Sequence, residues 1–261
     1  MDFIDVSIVM PCYNYGAFLP EALESVAEAA ARGAEVLVVD DGSDDEQTLQ
    51  ALENLPAWVT LIRRKKGGPA AARNSAIAIA KGSLIFPLDS DDIANFNFLV
   101  EAIELFSRHS NVDIVYGDCM FFGEKTGRWN ADACAQKSLY VNGLNVSAMY
   151  RKKVWQTNTG YDEAMVHGYE DWEFWLHAQK NKMVFVKAKE HAFNYRIRSK
   201  SLVNTETIPN HQELLKYMHH KHHDYMLKRF IDMHRELNTL KTDYRFLTQA
   251  LFRLFFKKFK I

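Results

Sequence analysis

Three aspartates follow the apolar segment Ser83–Leu88 within four residues, in the run Leu-Asp-Ser-Asp-Asp. Alternation along an extended strand places Asp89 and Asp91 on the same side of the chain as it leaves that segment. Two carboxylates in this arrangement can share a hard divalent cation such as Mg²⁺ or Mn²⁺. A second interpretation stays open, because Asp91 or Asp92 could instead cap the predicted helix Asn95–His109.

The elements that must position these aspartates follow a simple alternation. Apolar segments rich in β-branched residues alternate with helix-like segments, which is typical of βαβ units and predicts an α/β fold with a largely parallel sheet. The predicted strands are Val6–Met10, Ala34–Val39, Val59–Ile62 and Ser83–Leu88. The predicted crossover helices are Ala17–Arg32, Asp45–Leu55 and Pro69–Ala80. Beyond a strand at Asp113–Tyr116, residues 121–143 are expected to form loops and short antiparallel strands.

Ligands of open α/β sheets bind beyond the carboxyl ends of the parallel strands. Three of the predicted strands end in polar residues, at Pro11–Asn14, Asp40–Asp45 and Asp89–Asp92. Each group could be a turn or a helix cap when taken alone. Because the three ends should meet at one edge, together with Gly67–Asn74 they indicate a site for a nucleotide diphosphate and a metal.

Four segments carry a family resemblance: SIVMPCYN, VVDDGSDD, GGPAAARNSAIAIAKGSLIFPLDSDD and GYEDWEFWLHA. Their order and spacing over about residues 5–200 resemble the family 2 glycosyltransferases of the GT-A fold. The resemblance implies a Rossmann-like, nucleotide-binding mixed sheet with a C-terminal helical extension. It also implies an inverting enzyme that moves one hexose or N-acetylhexosamine from a nucleotide diphosphate to an acceptor hydroxyl.

The resemblance places the donor, expected to be a UDP-sugar, against the first half of the chain. Tyr13 would offer its ring to the uracil, and Asp41 would accept a hydrogen bond from the base imide. Pro11 and Asn14 belong to the same donor-binding loop, and Arg73 would meet the nucleotide or its phosphates. Without the resemblance, core packing is the better interpretation of Tyr13 and a turn that of Asp41, and a surface ion pair stays open for Arg73.

The metal and the leaving group are expected at the aspartate run. By the resemblance, Asp89 contacts both ribose and metal, and Asp91 binds Mn²⁺ or Mg²⁺ more directly. Arg198 stands where many relatives have a histidine. Arginine cannot bind a metal, but it can form two hydrogen bonds to a diphosphate. Arg198 is therefore predicted to bind the donor, and the metal dependence of the enzyme is predicted to differ from that of those relatives.

The resemblance predicts Asp171 as the catalytic base, in the run Glu-Asp-Trp. Partial burial by the surrounding aromatic residues would raise its proton affinity toward neutral pH. Trp172 is predicted to bind the acceptor, and Glu170 to bind the acceptor or orient the site. The alternative interpretation is an acidic residue placed at a helix start by the helix dipole.

Residues 1–207 are predicted to form the catalytic domain, with the donor half in 1–117 and the acceptor half in 118–207, followed by a helical extension, 208–261. Residues 241–261 contain six Lys or Arg and one Asp. A helix there would place Leu251, Phe255 and Phe259 on one face and basic residues on another. This pattern predicts binding to an anionic membrane surface, while packing on the catalytic domain or in a homodimer stays open.

Composition sets the expected location and partners. The formal net charge is −1, the three cysteines lack a Cys-x-x-Cys spacing, and no apolar run reaches membrane-span length. We therefore expect a cytoplasmic protein, peripheral on the inner face of the cell membrane, with no nucleic-acid partner. Because many bacterial relatives glycosylate lipid-linked glycans or lipopolysaccharide there, such an acceptor is expected.

Two other functions stay open. A nucleotidyltransferase would also use a nucleotide-binding α/β half and acidic metal ligands, although the basic glycine-rich loop expected there is missing. A catalytically silent membrane scaffold could keep the nucleotide pocket alone. The Gln-x-x-Arg-Trp element of processive synthases does not follow Asp171, so one sugar is expected per encounter.

Overall fold

The structure is a computed structural model that describes the backbone of residues 2–256 and the side chains of residues 2–240. The strands are β1 Val6–Cys12, β2 Glu35–Asp40, β3 Val59–Arg63, β4 Leu84–Pro87, β5 Ile93–Ala94, β6 Ile114–Tyr116, β7 Cys119–Gly123, β8 Gly127–Trp129, β9 Met149–Arg151, β10 Phe185–Lys187 and β11 Phe193–Ile197. The helices are α1 Leu19–Ala31, α2 Glu46–Glu53, α3 Gly68–Ile79, α4 Phe96–Arg108, α5 Lys152–Thr157, α6 Glu170–Lys180, α7 His211–Lys221 and α8 His223–Phe256. The predicted strands and crossover helices of the first half are all present.

The main sheet has seven strands in the order β10-β6-β9-β4-β1-β2-β3. All neighbours are parallel except β9, which is antiparallel to both β4 and β6. This confirms the mixed, largely parallel sheet. Cys12 lies opposite Asp40, and Pro87 lies opposite Val9, so the polar ends of β1, β2 and β4 meet at one edge, as predicted.

Burial explains why β1 was recognisable from its sequence. It is a central strand with helices on both faces, and such strands are continuously apolar. Ile8 and Met10 face one hydrophobic core, and Val9 faces the other. The alanines of α3 pack against β1 and β2, because small side chains let a helix approach a sheet closely.

A second sheet of four strands, in the order β5-β11-β7-β8, covers the edge where the polar strand ends meet. β11 is parallel to β7 and antiparallel to β5, which follows directly after the aspartate run. The sheet therefore brings Arg196 and Arg198, at the end of β11, next to Asp91 and Asp92.

The chain divides after Lys216 into two compact units, and the long helix α8 belongs to the second. The predicted domain limit at residue 207 stays a prediction. The side chains of the predicted amphipathic segment 251–261, and its backbone from residue 257, lie outside the described residues. Within the described part, no helix has both the length and the apolar character that a membrane span needs.

Candidate functional site

The first and fourth strand ends are joined by a serine. Ser90, inside the aspartate run, is buried, and its Oγ donates a hydrogen bond to the carbonyl of Pro11 at 2.6 Å. The aspartate run is thereby held against the end of β1. Pro11 thus supports the site with its backbone.

Asn14 connects the first and second strand ends. It has a left-handed backbone (φ 59°), which asparagine tolerates better than most residues. Its Nδ2 donates to Asp44 at 2.7 Å, and its Oδ1 accepts from the backbone N–H of Asp44 at 3.0 Å. These bonds fix the loop 40–45 beside Tyr13.

Tyr13 and Asp41 both contact the segment Lys66–Gly68. The ammonium group of Lys66 lies 3.8 Å from the centre of the Tyr13 ring. The buried carboxylate of Asp41 accepts backbone hydrogen bonds from Gly67 and Gly68, the nearest at 2.7 Å. Asp41 therefore fixes the glycine turn that begins α3, and the Lys66 ammonium covers one approach to the Tyr13 ring.

Arg73 is the centre of the site. Its buried guanidinium donates to Asp89 Oδ1 and to Glu170 Oε1, both at 2.6 Å. Burial alone would lower the pKa of Arg73, but the two carboxylates raise it above its ordinary value. A surface ion pair, the alternative for this residue, is therefore wrong. One side chain of α3 joins the aspartate run to the start of α6.

Asp91 is paired with Arg198. The Nη2 and Nε atoms of Arg198 lie 2.6 and 3.1 Å from Asp91 Oδ2, and both side chains are less than a fifth exposed. The guanidinium also packs over the rings of Tyr15 and Phe18. Burial and the neighbouring Asp89 raise the pKa of Asp91, and Arg198 opposes that rise.

Asp92 is buried and has a different role from helix capping. Its Oδ1 accepts from the backbone N–H of Arg196 at 2.9 Å, and its Oδ2 is buried without a hydrogen-bond partner. Asn95 caps α4 instead, because its side chain accepts from the backbone N–H of Asn97 at 3.1 Å. The capping interpretation of Asp91 and Asp92 is therefore wrong.

The start of α6 has an unusual backbone. Gly168 (φ 112°) and Tyr169 (φ 60°) both lie in the left-handed region, which is rare for a bulky residue and is often found at functional sites. A Cβ atom on residue 168 would lie 2.2 Å from the hydroxyl of Thr207, so only glycine fits there. The turn places Glu170, the first residue of α6, beside the guanidinium of Arg73.

Asp171 follows this turn and is partly accessible. Its Oδ1 accepts from the backbone N–H of Trp172 at 2.7 Å, and its Oδ2 accepts from Asn142 Nδ2 at 3.2 Å. Burial, followed by the charge of Glu170, raises the pKa of Asp171 to about 7, and the two hydrogen bonds oppose the rise. A carboxylate of this kind can accept a proton near neutral pH.

Trp172 lies below the surface. It is 3% exposed, and its indole N–H donates to the carbonyl of Ser138 at 2.7 Å. It holds the short 3₁₀ turn Lys137–Leu139 against α6. The exposed residues Tyr140 and Val141 follow that turn and precede Asn142.

The donor set at the aspartate run fits a divalent cation. Asp89 and Asp91 each give one oxygen to an arginine, and each has a second carboxylate oxygen. No group of three or more Asp, Glu, His or Cys side chains in the described residues is arranged to hold a metal. Mg²⁺ commonly needs only one or two carboxylates, with substrate phosphates and water completing the shell. Asp92 Oδ2 is buried without a hydrogen-bond partner, and burial together with the neighbouring Asp91 and Asp89 raises the pKa of Asp92 well above its ordinary value, as expected for crowded carboxyl groups without a cation.

Two residues of the site were missed in the sequence. Asn142 lies in an irregular loop without a motif, and its bond to Asp171 spans 29 positions. Arg196 is two residues before Arg198 on a strand, so alternation alone would have placed both on one face. Its Nε donates to the carbonyl of Asp91 at 2.8 Å.

Comparison with known proteins gives consistent matches. The family model described as Glycosyl transferase family 2 matches residues 7–166. Glycosyltransferase GlyG of Streptococcus pneumoniae serotype 4 is 28% identical over 231 residues, which cover 77% of this chain and 73% of GlyG. The Escherichia coli UDP-Glc:alpha-D-GlcNAc-diphosphoundecaprenol beta-1,3-glucosyltransferase WfgD is 35% identical over 119 residues, which cover 45% of this chain and 47% of WfgD.

Among solved structures, S. aureus TarS 1-349 in complex with UDP-GlcNAc superposes with a TM-score of 0.65 at 23% identity. The match covers 78% of this chain and 61% of the TarS chain. At this level of identity the likeness shows the fold, and it confirms the GT-A type of α/β architecture. The chain spans less than two thirds of WfgD and of the TarS chain.

Proposed function

Because the chain belongs to glycosyl transferase family 2, whose members transfer a sugar from a nucleotide sugar, we propose that its donor is a UDP-sugar and that transfer inverts the anomeric centre. The sugar is a hexose or an N-acetylhexosamine, and one is moved per encounter. Residues 1–117 form the donor half, 118–207 the acceptor half and 208–261 the C-terminal extension. The observation that supports this best is the buried Arg73, which bonds Asp89 on the donor side and Glu170 on the acceptor side.

In the proposed reaction, the acceptor oxygen forms a bond to the anomeric carbon as the bond from that carbon to the diphosphate oxygen breaks. Asp171 takes the acceptor proton. Its raised pKa of about 7 supports this role, because a base works best when its pKa is near the working pH. Glu170 stays paired with Arg73 and fixes the start of α6, so it acts on the acceptor by positioning Asp171.

The leaving diphosphate needs positive charge. Arg198 reaches the aspartate run with a guanidinium that can pair with two phosphate oxygens. Asp89 and Asp91 would hold Mn²⁺ or Mg²⁺ beside it. When bound, the cation neutralises charge on the departing nucleoside diphosphate and removes the need for a general acid.

For the uracil ring of the donor, Tyr13 supplies an aromatic ring and Asp41 a carboxylate, as the family resemblance implies. Lys66 lies against Tyr13, and Arg64 pairs with Asp41 at 3.2 Å, so two cationic side chains border the proposed uracil site. Positive charge there favours an anionic nucleotide. The relative WfgD is named for UDP-Glc, and TarS was solved with UDP-GlcNAc, which further supports a UDP-sugar.

The acceptor is a lipid-linked glycan or lipopolysaccharide at the cytoplasmic face of the membrane, where the protein is peripheral. The name of WfgD, which contains a diphosphoundecaprenol-linked acceptor, supports this, as does the basic sequence of residues 241–261. On the protein, Tyr140 is 62% exposed and lies two residues from Asn142, so its ring can face an acceptor sugar beside Asp171. Trp172 contributes by holding the turn before Tyr140.

Removing Asn142 tests the assignment of the base. Without its hydrogen bond, the ionised form of Asp171 is less stable, so its pKa rises in Asn142→Ala. Activity needs ionised Asp171 and is lost as the pH falls through that pKa. The acidic midpoint of kcat/KM is therefore expected to move from about 7 upward by about one to two units, since a hydrogen bond to a charged group is worth about 1.5–3 kcal/mol.

Lys137→Ala is the matched control, because it lies in the same loop but its ammonium group pairs with Asp132. Its midpoint should equal that of the wild type. An unchanged midpoint in Asn142→Ala, with activity retained, would exclude Asp171 as the titrating base.

Calorimetric titration tests the donor site. The protein is expected to bind UDP in preference to GDP or TDP, and more tightly with Mn²⁺ than without it. Asp91→Ala should weaken binding in the presence of Mn²⁺ by at least about tenfold, or 1.4 kcal/mol. Glu104→Ala, which removes an exposed carboxylate paired with Arg108, serves as the control. UDP binding that responds to neither Mn²⁺ nor Asp91→Ala would contradict the metal assignment.

A further inference from the structure

The long helix α8 has an apolar stripe along its length, which we call the α8 seam. In the described part it consists of Met226, Phe230, Met233, Leu237 and Leu240, at alternating steps of four and three residues. The same steps continue in the sequence at Tyr244, Leu247, Leu251 and Leu254. Nine positions over four heptads follow the pattern of the two core positions of a coiled coil.

Three of the five described seam residues are exposed, and Met226 and Met233 are half-buried. Phe230, Leu237 and Leu240 are 65%, 53% and 64% exposed. A contiguous row of large apolar side chains in water marks an interaction surface. Because the repeat is 3.5 residues rather than 3.6, the row stays aligned only along a partner helix that supercoils with it.

The charges of residues 223–240, the part of α8 whose side chains are described, favour a helix over a membrane as that partner. Between residues 223 and 240, three basic residues are balanced by three acidic ones: Lys228, Arg229, Arg235, Asp224, Asp232 and Glu236. A helix that lies on an anionic membrane needs a broad apolar face and a polar face rich in Lys and Arg. In this stretch the formal charges cancel, so it lacks the basic polar face, although Leu227 and Ile231, which are 48% and 41% exposed, widen the apolar face beside the seam.

The charges beside the seam also match a second copy. With Phe230 and Leu237 as equivalent core positions, Glu236 and Lys241 take the two flanking positions that face each other in a parallel, in-register pair. Each copy supplies both members, so the pairing is self-complementary, as a two-fold dimer requires. We propose that α8 pairs with the α8 of a second copy of this chain as a parallel two-stranded coiled coil. This inference is independent of the proposed sugar, acceptor and metal.

The test begins with the mass of the full-length protein in solution, measured by sedimentation equilibrium. The wild type is expected at twice the chain mass of 30.1 kDa. Leu237→Glu with Leu240→Glu places charges in the seam and should reduce the mass twofold. Ile231→Glu with Thr239→Glu is the matched control, since both residues are exposed but lie off the seam. Thermal unfolding followed by circular dichroism, with an unfolding temperature like that of the wild type, would show that all variants are folded.

Single cysteine substitutions test whether the two α8 helices are parallel and in register, without adding charge. Equivalent core positions meet in a parallel, in-register coiled coil, so Leu240→Cys should form an intermolecular disulfide under mild oxidation. Thr239→Cys, one residue along and facing away, should not, and the wild type reports any background from its own three cysteines.

Several outcomes would overturn the proposal. They are a monomeric wild type at micromolar concentration, a dimer whose mass the seam variant leaves unchanged, and equal crosslinking at residues 239 and 240. The wild type could instead be a monomer that binds anionic phosphatidylglycerol vesicles, with binding lost in the seam variant. That result would assign the seam to binding a lipid surface.

Discussion

Asp171→Asn is expected to reduce kcat by about 10³-fold while leaving UDP binding intact, because proton transfer by a positioned base contributes about 10²–10⁴-fold. Asparagine keeps the shape of the side chain, and its Oδ1 can still accept from the backbone N–H of Trp172, whereas its Nδ2 replaces the oxygen that accepts from Asn142. It cannot take the acceptor proton. Initial rates of UDP release, with the acceptor present, measure the effect.

The stability of the same variant provides a control. The pKa of Asp171 is raised in the folded protein to about 7, so the folded state binds more protons than the unfolded state between about pH 4 and 7. The ionised carboxylate therefore lowers stability as the pH rises through that window. At pH 8, Asp171→Asn should unfold at the same or a higher temperature than the wild type. A loss of activity that coincided with a lower unfolding temperature would point to misfolding instead of base removal.

Arg73→Met is expected to destabilise the protein by about 3–5 kcal/mol, since removing one partner of a buried ion pair leaves uncompensated buried charge. Glu170 would lose its 2.6 Å partner in a buried position, and Asp89 would lose its own. For a chain of this size, the loss corresponds to a fall in unfolding temperature on the order of 10 °C. Thermal unfolding followed by circular dichroism measures it.

Arg63→Met is the matched control for Arg73→Met. Arg63 also pairs with an aspartate, Asp40, but at 3.4 Å and with half of its side chain exposed. Asp40 itself is buried, but it keeps the hydrogen bond from the backbone N–H of Ser43 at 2.8 Å, and a 3.4 Å contact with a half-exposed arginine should contribute about 0–1 kcal/mol, so this variant should change little. Arg73→Lys should be more stable than Arg73→Met but less stable than the wild type. An ammonium group supplies the positive charge, but it lacks the planar guanidinium that bonds both carboxylates. Equal effects of Arg73→Met and Arg63→Met would refute the central role of Arg73.

The fold was predictable where burial controls composition. Strands β1, β2 and β4 are buried on both faces, so their continuous apolar runs identify them, and the sheet rule then places their polar ends at one edge. The helix alternating with each strand followed from its length and alanine content. The four-stranded sheet was only partly predictable, because β5 and β8 are two and three residues long.

The site was predictable in its residue types but not in its pairings. The contact of Arg73 with Glu170 spans 97 positions, and that of Arg198 with Asp91 spans 107. A local sequence pattern does not reveal contacts between residues so far apart along the chain. The residues next to Arg73 in the sequence therefore could not predict its burial. Asn142 was missed for the same reason. The start of α4 shows a smaller error: Asp91 or Asp92 was the predicted cap, but the helix begins at Phe96, and Asn95, which the prediction placed inside the helix, caps it.

The most direct test of the account is acceptor-dependent release of UDP by the wild-type protein. UDP-glucose, UDP-N-acetylglucosamine and related donors would be incubated with Mn²⁺ and a synthetic polyprenyl-diphosphate-linked sugar, and free UDP would be measured. We expect at least one donor to give UDP release that increases with the acceptor and disappears in Asp171→Asn. Tight UDP binding without release from any donor would contradict the proposed transfer and leave only a nucleotide-binding protein.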